Sequence, residues 1–108
     1  MLIYQEIDEF IQSGKTLDTQ LEIHTDYDDQ QIHKILSNCN LEGSSWESLD
    51  YHTRIYKTYD KDGNSEWMTV LFIDTTDKKI DDLVSLSAII QEAEDKFYEF
   101  DNDELFDD

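Results

Sequence analysis

Proline is absent from the 108 residues, and glycine occurs three times, at Gly14, Gly43 and Gly63. So few glycines leave no room for a glycine-rich phosphate loop. Cys39 is the single cysteine, which excludes an internal disulfide and suits an intracellular home. Its simplest role is that of a small apolar residue near a helix end. No apolar run approaches the ~20 residues that span a bilayer, and Met1-Leu2-Ile3-Tyr4-Gln5-Glu6 has no basic segment ahead of an apolar one. Neither a membrane helix nor a secretory signal is expected, and the cytoplasm is the expected location.

Basic residues are scarce as well. Eight lysines and arginines face 27 aspartates and glutamates, for a net charge of −19. A magnitude of roughly 2–8 is enough to keep a small domain soluble, and the excess repels itself in the compact state. Direct binding to nucleic acid or to an anionic membrane is electrostatically disfavoured. The fitting partner is a basic protein surface. Salt adaptation of a whole proteome explains the charge poorly. Richness in Ile, Tyr and Asp, seven lysines to one arginine and no proline look like AT-biased coding, whereas salt-loving proteins are expected to favour Ala, Val and Arg. Disorder is opposed by thirteen aromatic residues and a clear apolar periodicity.

That periodicity predicts a single α+β domain over residues 1–100, followed by an acidic C-terminal tail, 101–108. Ile3, Ile7, Phe10 and Ile11 recur at helical spacing before Gly14. Leu17, Thr19, Leu21 and Ile23 alternate with polar residues, as in a half-buried strand over 17–24. Asp26 or Asp28 caps a helix carrying Ile32, Ile35 and Leu36. Two runs rich in aromatic and β-branched residues, about 46–59 and 67–73, flank Asp60-Lys61-Asp62-Gly63-Asn64-Ser65. Such a turn predicts a β-hairpin over about 46–73. Its second strand is apolar on both faces, which predicts a central strand covered on both sides. Leu83, Leu86, Ile90, Ala93, Phe97 and Phe100 form the stripe of a long, acidic helix over 80–100. The expected fold is thus a small antiparallel sheet packed with three helices.

The charge is uneven along the chain, since residues 80–108 alone hold eleven acids against one base. Glu92, Asp95 and Glu99 fall on one helical face, and Asp103 joins them if the helix continues. Like charges at these spacings repel by a few tenths of a kcal/mol per pair. The macrodipole also disfavours anions at a helix C-terminus. A helix that gives up stability in this way points to a function that rewards negative charge. Duplex DNA carries about one charge per 1.7 Å of axis, so nineteen charges match roughly 32 Å of duplex, about one turn. Carboxylates spaced this way can take the arginine and lysine sites of a DNA-binding channel.

The size, the composition and the acidic stretch from Asp81-Asp82 through Glu92-Ala93-Glu94-Asp95 to Asp101-Asn102-Asp103-Glu104 resemble small acidic phage-encoded DNA mimics, the anti-CRISPR and anti-restriction proteins among them. The resemblance implies an inhibitor that occupies the basic DNA-binding surface of a CRISPR effector nuclease or restriction enzyme inside a bacterial host. The residues expected to meet that partner are Asp81, Asp82, Glu92, Glu94, Asp95, Glu99, Asp101, Asp103 and Glu104. A homodimer would double this array or bury part of it.

Catalytic and metal readings are weaker, and no catalytic residue, metal or cofactor is expected. Asp60 to Leu71 opens like a calcium loop, but Ser65 stands where glycine is required and Leu71 where a bidentate glutamate should close the site. Glu94-Asp95-Lys96 matches half of a metal-dependent nuclease signature, yet it falls on a helix among acids that oppose a DNA substrate. Asp74 follows an apolar strand, but Thr76 replaces a second acid. His24, His33 and His52 show no zinc spacing with Cys39. The alternative function is a regulatory interaction module whose tail offers Leu105-Phe106 among acids as a peptide motif. Trp46 and Trp67 suit either core positions or interface anchors.

Overall fold

The computed structural model describes residues 2–106, and the side chains of residues 2–98. It is an α+β fold in the order α1 (Ile3–Ser13), β1 (Gln20–Thr25), α2 (Asp29–Ser37), β2 (Tyr51–Tyr59), β3 (Ser65–Asp74) and α3 (Ile80–Phe106). The strands form one antiparallel sheet in the order β1-β3-β2. One face of that sheet carries all three helices, through a core that joins Ile3 and Ile7 of α1, Ile32 and Ile35 of α2, and Leu83, Leu86 and Ile90 of α3 to Leu21, Ile23, Leu71 and Ile73.

Local chemistry accounts for most boundaries. Helix α1 ends at Gly14, whose φ of 73° is the left-handed cap that glycine adopts without steric cost. Helix α2 starts in a capping box. The Gln31 N–H donates to the Asp28 carboxylate at 2.8 Å, and the Gln31 side-chain oxygen accepts from the Asp28 N–H at 2.9 Å. Of the two candidate caps, Asp28 is the one used. The hairpin turn is held by Asp60, whose carboxylate accepts from the N–H groups of Asp62 and Asn64, both at 2.9 Å. Gly63 takes φ 83° there.

Several expectations need adjusting. Trp46 lies outside β2 and is buried in the loop before it, its indole N–H donating to the Asp82 carbonyl at 2.8 Å. The first strand begins three residues later than alternation predicts, since Thr19 pairs through a single contact from its carbonyl to the Thr75 N–H at 2.9 Å. β3 is central and its residues Val70 to Ile73 are buried on both faces, as expected, but among the described residues no helix supplies the cover of the second face. Val70 and Phe72 point there, outside the core cluster. They are shielded by cross-strand neighbours: Phe72 lies between Glu22 and His52, with the His52 ring stacked on it at 5.0 Å. Helix α3 runs on to Phe106, so the expected boundary between domain and tail at residue 100 falls inside a helix.

The hairpin reaches past the layer of helices. Tyr51 and Thr53 on β2 are half-buried, and every residue from Arg54 to Tyr59 is exposed. Ile55, Tyr59 and Trp67 continue the face that carries Leu71 and Ile73, but no helix lies over them. Together with the 27-residue α3, this arm raises the radius of gyration to 15.1 Å, against about 13 Å for a compact chain of this length.

Candidate partner-binding surfaces

The acidic residues singled out on α3 separate into three kinds. Asp81, Glu92 and Asp95 are exposed, and the described relief on that surface is an exposed ion pair of Lys96 with Glu92 at 3.7 Å. Such a pair contributes little in water. These three carboxylates are free to meet a partner.

Asp82 has an internal task. Its carboxylate accepts the Lys79 N–H ahead of α3 at 2.9 Å and the Ser45 hydroxyl at 2.9 Å. The Lys79 backbone bond first, then the Ser45 hydroxyl, hold its carboxyl below the usual aspartate range. Asp82 therefore ties the loop holding Trp46 to the start of α3, and the charge it shows a partner is already engaged.

Glu94 has to be withdrawn from the partner-facing set. It is fully buried, where an exposed carboxylate was expected. One oxygen accepts the Ile3 N–H at 3.0 Å and the Tyr27 hydroxyl at 2.7 Å, and the other accepts the Tyr4 N–H at 2.8 Å. Ile3 and Tyr4 open α1, and the first N–H groups of a helix have no partner within it. Glu94 supplies that partner from α3, and negative charge at a helix N-terminus is also favoured by the macrodipole. Burial pushes its carboxyl above the usual glutamate range, while the bonds from Tyr4, Tyr27 and Ile3 act against that rise. Tyr27 in turn is raised above the ordinary phenol range, mainly by burial and then by its bond to Glu94. Its ring meets Phe97 edge-on at 5.9 Å.

Glu99, Asp101, Asp103 and Glu104 sit on the α3 backbone, but their side chains lie outside the described ones. The same holds for Leu105 and Phe106.

A second acidic region escapes sequence reading because its acids come from three separate parts of the chain. A cleft of about 1090 Å³ opens between the hairpin arm and the segment that joins β1 to α2. Its acidic lining comes from Glu6 on α1, Asp26, Asp28 and Asp29 around the start of α2, and Glu66 on β3. Ile55 and Trp67 on one face of the sheet and Met68 on the other supply its apolar lining. Trp67 is 67 % exposed and Ile55 58 %, so the apolar wall is open to solvent. Neither lysine nor arginine lines the cleft, although Lys57 lies over the Trp67 ring at 5.6 Å from the arm side.

The residues weighed for chemistry do not converge. No group of three or more His, Cys, Asp and Glu among the described residues is arranged to hold a metal ion. The Asp74 carboxylate accepts the Thr76 N–H and hydroxyl at 2.9 and 2.7 Å, closing a turn. Burial pushes the Cys39 thiol up to about 11, with the Glu94 charge adding to it, so it stays protonated near neutrality. No described helix is long and apolar enough to cross a membrane.

Comparison with protein-family models, curated protein sequences and solved structures returns no match.

Proposed function

We propose that this protein works by binding rather than catalysis, as a DNA mimic that occupies the basic DNA-binding surface of a nucleic-acid enzyme in the cytoplasm. A CRISPR effector nuclease or a restriction enzyme is the partner class that such a surface fits. The observation that carries the reading is the one-signed charge: −19 over 108 residues, with Asp81, Glu92 and Asp95 held out to solvent on one long helix. At about 1.5 Å of rise per residue, Asp81 and Asp95 stand about 21 Å apart along that helix, and the 3.6-residue period sets them and Glu92 on one side of it. The burial of Glu94 narrows the row without breaking it.

The test is capture of a partner on immobilised protein from nuclease-treated lysate of a low-GC bacterium carrying a CRISPR effector, at low salt. Elution with duplex DNA should release one nucleic-acid enzyme, because both ligands claim the same site. Replacing Asp81, Glu92 and Asp95 by Asn, Gln and Asn should weaken capture and flatten its salt dependence. A partner that ignores DNA, or one bound equally by the neutralised variant, rejects the reading.

A further inference from the structure

We propose that the cleft beside β3 receives an extended, lysine- or arginine-bearing segment of a protein partner, which joins the sheet as a fourth strand. This surface is distinct from the exposed row on α3, and the inference holds whether or not the protein mimics DNA.

The argument begins with the strand edge. Asp74 donates its N–H to the Asp50 carbonyl on the β2 side at 2.9 Å, and Thr75 donates to Thr19 on the β1 side at 2.9 Å. At the other end, the Asn64 carbonyl accepts from Asp60, again on the β2 side. Backbone groups alternate along an antiparallel strand. Even-numbered residues of β3 therefore pair with β2, and odd-numbered ones turn towards β1. β1 stops at Thr25, opposite Thr69. The N–H and C=O groups of Ser65 and Trp67 thus turn towards an edge that no described strand occupies. The edge from Ser65 to Met68 spans about 13 Å.

The lining of the cleft agrees with an edge groove. Trp67 and Thr69 come from one face of the sheet, Glu66 and Met68 from the other, so the cavity wraps the strand rather than lying on a face. An added strand would present alternate side chains to the two sides. Those turned to the helix side would lie against Trp67, with Ile55 beyond it on β2, and their neighbours would reach Glu66. Asp26, Asp28, Asp29 and Glu6 close the far wall.

Charge selects the occupant. Among its described lining residues stand five carboxylates and one histidine, His24, with no lysine or arginine. A second copy of a chain with net charge −19 is repelled on approach. A cationic extended segment is attracted, gains main-chain hydrogen bonds at the edge, and finds an aromatic wall for its aliphatic stems.

The test uses the full chain and a set of synthetic octapeptides alternating Lys or Arg with Val or Thr. Controls are the same peptides N-methylated at alternate residues, and versions with Glu in place of each cation. The cationic peptides should bind at least about tenfold more tightly than the N-methylated controls, which lose hydrogen bonds at the edge, and than the Glu controls, which the acidic cleft repels. Amide shifts should centre on Ser65 to Met68 and Asp26 to Gln30. Trp67→Ser and Glu66→Lys, both at exposed positions, should each weaken binding with unchanged amide spectra elsewhere. Equal binding of the N-methylated peptides overturns the proposal, as does a complete lack of binding, or shifts confined to α3. Concentration-dependent dimerisation abolished by Trp67→Ser also overturns it, by placing a second copy in the cleft.

Discussion

Glu94 joins three parts of the molecule through one buried carboxylate, and its removal should be costly out of proportion to its size. Glu94→Ala leaves the Ile3 and Tyr4 N–H groups and the Tyr27 hydroxyl without partners. At roughly 1–3 kcal/mol for each unsatisfied buried group, partly recovered by local rearrangement, a loss of about 3–5 kcal/mol is expected in urea unfolding. Tyr27→Phe removes one donor and keeps the ring against Phe97, so about 1 kcal/mol is expected there. The same carboxyl sets a pH dependence. Its folded pKa lies above its unfolded value, so the folded state holds this proton more tightly. Stability from that source is present below the unfolded pKa, about 4.3, and is lost as pH rises through the raised folded value. Asp74 and Asp82 act in the opposite sense and at lower pH, because their folded pKa values are lowered. Unfolding free energy measured against pH should therefore fall on going from mildly acidic to neutral solution. Glu94→Gln should flatten that slope, and an unchanged slope would assign it to other groups.

Among the elements, the hairpin arm stands apart because its outer half is held by strand pairing and turn chemistry rather than by the core. Gly63 sits at φ 83°, and a Cβ there would meet nothing within 4 Å. The cost of Gly63→Ala is then the left-handed backbone alone, about 1–2 kcal/mol, read as faster amide exchange between Tyr56 and Met68. Trp67→Ser should change global stability by no more than about 0.5 kcal/mol, because the side chain is mostly in water already. A larger loss would mean that Trp67 and Lys57 brace the arm. The outer edge of β2 carries Arg54 and Lys57, charges of the kind that discourage strand-to-strand association. The open stretch of β3 has Glu66 alone for that purpose.

For the whole molecule, charge outweighs any single contact. Repulsion among like charges in a chain of −19 is screened by salt, with a Debye length near 10 Å at about 0.1 M. Added sodium chloride should raise the melting temperature, and more at pH 8 than at pH 5, where part of the carboxylate charge is titrated away. A melting temperature indifferent to salt would mean that the charges lie too far apart to interact. Screening also separates folding from binding, since the salt that stabilises the fold should weaken attachment to a basic partner.

Much of the fold was legible in the chain because it rests on short-range rules. Alternation at Leu21 and Ile23, an aspartate cap ahead of Ile32, the Asp60 to Ser65 turn, and the stripe from Leu83 to Phe97 are all decided by neighbours a few residues away. Total charge and its concentration after residue 80 follow from composition alone. Glu94 shows where that reasoning stops. It stands four residues after Ile90 and three before Phe97, on the buried stripe, but its donors are 91, 90 and 67 residues distant in sequence. Periodicity can say that a carboxylate points inward, and only the antiparallel packing of α1 on α3 decides whether anything there will accept it. The cleft has the same origin. Its carboxylates come from α1, the α2 cap and β3, and they meet because β1 ends while β3 continues, a difference in strand length that becomes a groove once the strands are paired.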